Sequence, residues 1–395
     1  MGKDLNGKEL GSHFSQRKNG TYSARYFDRF GQKHDLYSKS LTELRRKYKE
    51  AVHQDAVCKN VKTDYTLDEW FQKWLSIYKI GIRANTKRHY NHVFEKQISP
   101  FLGSKLLKKI TTLDVTLLIN DLQAQGYRYE TLNKVRIILL DMFNRAVIDE
   151  FALKNPVKGI KITRDEKADP RVLTVSEQQA FFQACSGDFY EDAFIVQVST
   201  GLRPGELFAL DAWKDIDFTR REITVDKTLL YQKLSGDTRK TFHIDPPKTA
   251  SSRRKVKFDE RCAVALRNQI RRKQEVASSP GAKPIPGLEN LLFVTKFNTP
   301  ICPQIYNDAI RRIVDKINVD RDEAEQFEVF SGHCFRHTYA TRCFEAGIPP
   351  KTVQQQLGHA SLKMTMDLYT HVLSDQRELD LQKYSAYADK IFCTI

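Results

Sequence analysis

The sequence predicts a multidomain protein in three parts: a small α+β unit, an all-α unit, and a larger mixed, mainly α unit with a small β-sheet. Three observations predict this. The length of 395 residues exceeds what one ordinary hydrophobic core holds together. The apolar spacing changes along the chain, from alternation to helical periodicity and then to a mixture. The net charge of +15 is unevenly placed: residues 1–62 carry 14 Lys and Arg against 7 Asp and Glu, residues 63–165 carry 17 against 11, and residues 166–395 carry 33 against 31. The boundaries drawn from these shifts are 1–62, 63–160 and 161–395.

In the first unit, "FSQRKNGTYSARYFDRFGQKHDLY" (14–37) alternates aromatic or aliphatic residues with basic ones, and "KNG" and "RFG" are turn signals. Strands are expected near 13–18, 21–28 and 33–38. "SLTELRRKYKEAVHQDAV" then opens with Ser and Thr and continues at helical spacing. Arg17, Lys18, Arg25, Arg29 and Lys33 crowd the strands. A basic β-ribbon fits a major groove, and a polar sheet face turned to water gives the same pattern.

"CKNVKTDY" reads as a linker into the second unit. Helices are expected at 66–78, 84–98, 112–125 and 129–148, several with apolar residues on one face and basic ones on the other. Thr66 and Glu69 form a capping-box signature. Trp70, Phe71 and Trp74 read as core. "NPVKGIKITRDEKADPRVLT" (155–174), charged and punctuated by two prolines, reads as an exposed connector.

The third unit reads as helices at 176–186 and 188–200 with another starting at Pro204. Strand-like runs follow within 215–258, then helices at 259–277, 303–318, 335–346, 350–357, 362–368 and 375–390. A loop is expected at 278–290.

Composition narrows the class. Seven cysteines, at 58, 185, 262, 302, 334, 343 and 393, form no C-x-x-C pair. Neither a zinc ribbon nor a disulfide framework is indicated, and reduced thiols of a cytoplasm are the simplest reading. No apolar run is long enough to span a bilayer, the first residues lack the apolar stretch of a signal peptide, and the Met-Gly start lacks the Ser or Thr of a myristoylation site. The basic front half points to a polyanion, most often nucleic acid, although a solvated surface also carries such charge.

Four stretches hold candidate chemistry. In "TGLRPGELFAL" (200–210), Gly201 ends one helix and Pro204 opens the next. Arg203 stands at that entry, with Glu206 one turn on to fix its guanidinium. This suits an oxyanion, and a surface salt bridge would look the same. In "HIDPPKTASSRRKVKF" (243–258), Lys248 sits at what reads as a hairpin tip, a mobile point charge able to reach a phosphate. In "SGHCFRHTYATRCF" (331–344), His333 and Arg336 share a helix face at its start, while His337 reads as structural and Cys334 and Cys343 as small core residues. In "GHASLKMTMDLYTH" (358–371), Gly358 ends a helix, His359 follows, Ser361 can cap the next helix, and Tyr369 lies on or just past that helix. No metal-ligand spacing accompanies these residues.

The order Arg, Lys, His-x-x-Arg, Gly-His, Tyr resembles the tyrosine recombinase (phage integrase) family. "TGLRPGEL", "PKT", "HCFRHTYAT", "LGH" and "YTH" carry the resemblance over roughly 170–372. The helical segment resembles that family's core-binding domain. The N-terminal sheet and helix resemble the arm-binding domain of conjugative-transposon and lambda-type integrases.

The resemblance implies that 161–395 is a catalytic domain with a C-terminal tail, cutting DNA without metal, ATP or other cofactor. Tyr369 would attack the scissile phosphodiester to form a 3′-phosphotyrosyl link. Arg203 and Arg336 would neutralise the non-bridging oxygens, His359 would add a hydrogen bond, His333 would exchange the proton, and Lys248 would protonate the departing 5′-oxygen. It also implies core and arm sites on double-stranded DNA, a homo-tetramer, an excisionase and a DNA-bending protein, and a place at the nucleoid in a bacterial cytoplasm. The tail, with Leu379, Tyr384, Ile391 and Phe392, would dock on a neighbouring protomer or on its own domain. A type IB topoisomerase shares much of this residue set, but relaxing supercoils needs no separate basic N-terminal domain. A DNA-binding regulator does not require the six residues at all.

Overall fold

The structure is a computed structural model. It describes residues 2–27, 33–57, 65–164, 170–234, 236–247, 252–369 and 373–392, with the side chains of 54–57, 367–369, 373–380, 383 and 392 outside the description. The chain divides into two compact units, Met1–Lys167 and Ala168–Ile395.

The first unit opens with a short ribbon, β1 (Gly2–Lys3) against β2 (Glu9–Gly11), which the alternation of 14–37 gave no reason to expect. The three expected strands follow as β3 (Phe14–Gln16), β4 (Tyr22–Phe27) and β5 (Lys33–Ser38), an antiparallel sheet in the order β3-β4-β5. Helix α1 (Leu41–Val57) packs on β4 and β5, burying Leu44 and Ala24. Arg25 crosses to Asp35 on β5 at 2.9 Å, and Arg17 lies 4.4 Å over the Tyr37 ring. Arg29 lies outside the described residues.

The expected helical run forms as α2 (Leu67–Lys73), α3 (Ala84–Val93), α4 (Ser99–Leu102), α5 (Thr112–Ala124) and α6 (Tyr129–Ile148). α2 and α3 each run on into a π-helical turn, Trp74–Tyr78 and Phe94–Ile98, so the expected ends at 78 and 98 hold. Thr66 accepts from the Glu69 backbone, and Glu69 accepts from the Thr66 backbone, which starts α2. Trp70, Phe71 and Trp74 are core. The two indoles also satisfy their N–H groups, Trp70 donating to the Met142 carbonyl at 3.0 Å and Trp74 to Asp141 at 2.9 Å.

The connector departs from expectation at both ends. Asn155, Pro156, Val157 and Leu173 are buried. Asn155 Nδ2 donates to the Leu140 carbonyl, and its Oδ1 accepts from the Val157 backbone, so the segment is tied down before it leaves the helices. Likewise the Leu173 N–H donates to Thr338 Oγ1.

In the second unit, α7 (Val175–Ala184), α8 (Glu191–Thr200) and α9 (Pro204–Phe208) precede five strands among the described residues. These are β6 (Ile216–Asp217), β7 (Glu222–Val225), β8 (Thr228–Gln232), β9 (Thr241–Asp245) and β10 (Arg254–Lys257). The strand segments are as expected, but their pairing is not. β9 pairs with β8 to form one ribbon, and β10 pairs with β7 in a sheet of order β10-β7-β6. The β9–β10 connection therefore joins two sheets and is no hairpin tip. Helices α10 (Glu260–Ala277), α11 (Pro303–Asn318), α12 (Gly332–Glu345), α13 (Pro350–Leu357), α14 (Leu362–Tyr369) and α15 (Leu373–Phe392) complete the unit. α12 begins three residues before its expected start. Its core is aromatic: Phe181 meets Phe194, Phe330 and Phe335 edge-on, and Tyr306 donates to Gln197 at 2.7 Å. Cys334 and Cys343 are buried as expected.

Candidate active site

Two left-handed helix ends build the site. α8 stops at Gly201 with φ 64°, and α13 stops at Gly358 with φ 65°. Glycine is required at 201 twice over: the backbone is left-handed, and a Cβ there would strike the Tyr339 ring and come within 2.7 Å of Leu357 Cδ2. Both turns leave carbonyls without partners in their own helices. Arg336, buried on α12, supplies them. Its Nη1 donates to the Gly201 carbonyl and its Nη2 to the Leu357 carbonyl, each at 2.7 Å. One guanidinium thus ties together the turn before Arg203 and the turn before His359. Burial and the neighbouring Arg203 charge push its pKa down to about 9, which still leaves it protonated at neutral pH.

Arg203 is the N-cap of α9, whose first helical residue is Pro204. The expected partner is in place. Glu206 Oε1 accepts from Arg203 Nη1 at 2.7 Å, and Oε2 accepts from the Arg203 backbone N–H at 2.9 Å. Glu206 is buried, which would raise its pKa, yet Arg254 and Arg203 hold it down to about 2. Arg254, on β10, had no signal in the sequence beyond being one base in "SSRRKVKF".

His333 is the second residue of α12 and is exposed, one turn before Arg336. Desolvation by its surroundings and the charges of Arg336 and Arg203 lower its pKa. The shift favours the neutral ring, the form able to accept a proton. His337 does not lie apart from these groups. It is one full turn from His333, and burial with the charges of His333 and Arg336 takes its pKa to about 4. Its Nδ1 is buried with no hydrogen-bond partner among the described residues.

His359 is buried beside Gly358, and its Nδ1 is 2.9 Å from Thr365 Oγ1 on α14. That bond fixes the ring and leaves Nε2 for the site. Ser361 Oγ accepts from the Met364 N–H at 3.4 Å, capping α14 as expected. Tyr369 is the last residue of α14, which packs on α12 and α13. Its side chain, and Lys248 entirely, lie outside the described residues. A pocket of about 270 Å³ opens among Arg203, Glu206, Lys227, Ser252, Gly358 and Met364. Lys227 was not singled out from the sequence. Its ammonium is committed to Asp215 at 2.5 Å and Asp226 at 3.3 Å.

The structure therefore brings Arg203, His333, Arg336 and His359 together in one unit. Two arginines and two histidines gather there, and Arg203 also lines the pocket; such a set suits a phosphate and its developing charge. Among the described residues no group of His, Cys, Asp and Glu is placed to hold a metal ion.

The histidines make the fold sensitive to acid. Burial and adjacent arginines take His359 to about 4, well below the 6.5 of a free side chain. Between those values the unfolded chain binds the proton and the folded one does not. Stability should fall as pH drops from 6.5 towards 4 and level off below, by about 1.4 kcal/mol per pH unit at most for that residue. Glu206 acts in a lower window: its stabilisation is full above about 4.5 and lost as pH falls towards 2. Urea titrations at pH 7.0, 5.5 and 4.5 check this, and His359→Asn should flatten the upper part of the slope.

Residues 171–376 match the phage integrase family, and residues 66–123 match the N-terminal SAM-like domain of phage integrases. The chain is 27% identical over 407 residues to the transposase of transposon Tn916 from Enterococcus faecalis, covering 96% of each. It is 28% identical over 357 residues to a XerC-like tyrosine recombinase from Caldanaerobacter subterraneus, covering 87% of this chain and 89% of the other. Among solved structures, it is similar to the Tn1549 transposon integrase in complex with transposon right-end DNA, with a TM-score of 0.69 and 27% identity over 81% of this chain and 100% of that one. It shares the fold of a lambda integrase dimer bound to a core site, at a TM-score of 0.57 and 20% identity, over 91% of this chain and 95% of that one.

Proposed function

This chain belongs to the phage integrase family and is a site-specific tyrosine recombinase that cuts and rejoins DNA, and on that premise we propose that Arg203, Lys248, His333, Arg336, His359 and Tyr369 carry the reaction. The observation that supports this most is the Arg336 guanidinium, which ties the Arg203 turn to the His359 turn within one buried framework.

The chemistry follows from the donors. The Tyr369 hydroxyl attacks the phosphorus of the scissile phosphodiester and becomes linked to the 3′ side, while the bond to the 5′-oxygen breaks. A phenol of ordinary pKa about 10 needs a base at neutral pH, and His333, whose neutral form is favoured by desolvation and then by the Arg336 and Arg203 charges, takes that proton. Arg203 and Arg336 neutralise the non-bridging oxygens as charge gathers on them, and His359 Nε2 adds a donor. Lys248 gives its proton to the departing 5′-oxygen. The phosphotyrosyl link keeps the energy of the broken bond, so a second 5′-hydroxyl can reverse the steps on a new partner strand.

The 1–62 unit, with Arg17, Arg25 and Lys33 on its sheet, is the arm-site reader in this account, and 63–160 grips the core site. The assembly is a tetramer on paired sites, performing integration and excision, with an excisionase and a DNA-bending protein setting direction. Support for assembly comes from α15: Leu381, Tyr384, Tyr387 and Ile391 are all exposed and fall on one side of the helix, an apolar strip that a helix packed on its own domain would cover. Leu379 and Phe392 lie outside the described side chains.

A joining assay separates the readings. Two duplexes bearing an element end and a target site should yield a recombinant product with wild type. Relaxation of a supercoiled single-site plasmid without joining would support a topoisomerase. Binding without cutting would support a regulator.

A further inference from the structure

We propose that Arg254 is a positioning residue for this reaction, holding Arg203 in its working orientation through Glu206 while it pins the turn that carries His359. The inference rests on the assignment of Arg203 and His359 to the scissile phosphate.

Arg254 opens β10, the strand into which the segment holding Lys248 leads. Its guanidinium is almost wholly buried and makes a two-pronged pair with Glu206, Nη1 to Oε1 at 3.1 Å and Nη2 to Oε2 at 2.8 Å. The third nitrogen is also used: Nε donates to the Gln356 carbonyl at 2.6 Å. Gln356 is the penultimate residue of α13, so Arg254 and Arg336 cap adjacent carbonyls at the end of that helix, just before Gly358 and His359. Lys257 on the same strand adds a backbone bond to Gln356 Oε1 at 3.2 Å. One planar side chain thus meets β10, α9 and α13 together.

The electrostatic consequence is specific. A carboxylate paired with Arg203 alone would cancel its charge and draw it away from a ligand. Arg254 shares that carboxylate, so Arg203, Glu206 and Arg254 together keep a net positive charge facing the site. Arg203 remains a third exposed and is still gripped at Nη1 and at its backbone N–H. Lysine cannot reproduce this, because one ammonium cannot fill two carboxylate prongs and a carbonyl on a different helix.

The test is single-turnover cleavage of a nicked suicide duplex by the full chain. The scissile position carries either the normal phosphodiester or a methylphosphonate, which has no charge for Arg203 to neutralise. Arg254→Lys should bind DNA within about 3-fold of wild type yet cleave the phosphodiester about 10–100-fold more slowly, less than the loss expected for a direct donor. On the methylphosphonate, the defects of Arg203→Ala and Arg254→Lys should both shrink. Glu206→Gln, nearly isosteric, should show the same shrinkage and serves if the lysine variant does not fold. A defect equal on both substrates, or none, overturns the positioning role and marks Arg254 as structural. Failure of wild type to form any adduct on the phosphodiester would instead overturn the catalytic assignment beneath it.

Discussion

Tyr369→Phe should bind DNA as wild type does and form no covalent adduct, a loss on the order of 10⁴–10⁶-fold in cleavage. The substitution removes one oxygen and keeps the ring, so the melting temperature should not move. The other tyrosines of this unit near the site explain why no substitute is at hand. Tyr306 is fully buried and bonded to Gln197. The Tyr339 ring packs against Gly201, and burial with the nearby Cys343 thiol raises its pKa well beyond that of an ordinary phenol. Both hydroxyls are harder to ionise than a free one and neither ends a helix. The check is an SDS-stable band on a nicked duplex. A band that persists in the variant would make another residue the nucleophile, with Tyr339 the next to replace.

Arg336→Ala should cost both activity and fold. It removes the charge that we assign to the phosphate and leaves the Gly201 and Leu357 carbonyls without that guanidinium inside the protein. Losing a direct electrostatic donor commonly costs about 10²–10³ in rate. Losing two buried hydrogen bonds from a charged group costs roughly 3–5 kcal/mol. Arg336→Lys should keep the positive charge but reach only one carbonyl, so its stability should fall between wild type and alanine. Urea titration and single-turnover cleavage, run well below the variant's melting temperature, separate the two losses. An alanine variant with wild-type stability would mean that the two turns are held by something other than this guanidinium.

Much of this was legible in the sequence because its signals are local. Thr66 with Glu69, Pro204 after Arg203, and the glycines at 201 and 358 each mark a helix end through contacts within a few residues. The alternation of 14–37 fixes β4 and β5 for the same reason. What the sequence hid depends on distant partners. Arg254 looks like any surface base, and its burial is set by Glu206, 48 residues before it, and Gln356, 102 residues after it. The strands at 241–245 and 254–257 are close in sequence, which suggests a hairpin, but each is claimed by an earlier strand. Two prolines suggested an exposed connector at 155–174, while Asn155 uses its amide to bind the end of that segment to α6. His337 follows from plain helix geometry, since residues four apart share a face as surely as residues three apart. Its charge coupling to His333 and Arg336 could have been expected.

The reaction we propose joins Tyr369 to the 3′ end of a cut strand. The most direct measurement is to trap wild type on the suicide duplex, digest with trypsin and nuclease, and sequence the nucleotide-bearing peptide by mass spectrometry. The expected product is the peptide 364–377, "MTMDLYTHVLSDQR", modified at Tyr369 through a 3′-phosphate, with a free 5′-hydroxyl on the other fragment. A nucleotide on any other residue, or cut strands with 5′-phosphates and no protein attached, would contradict it.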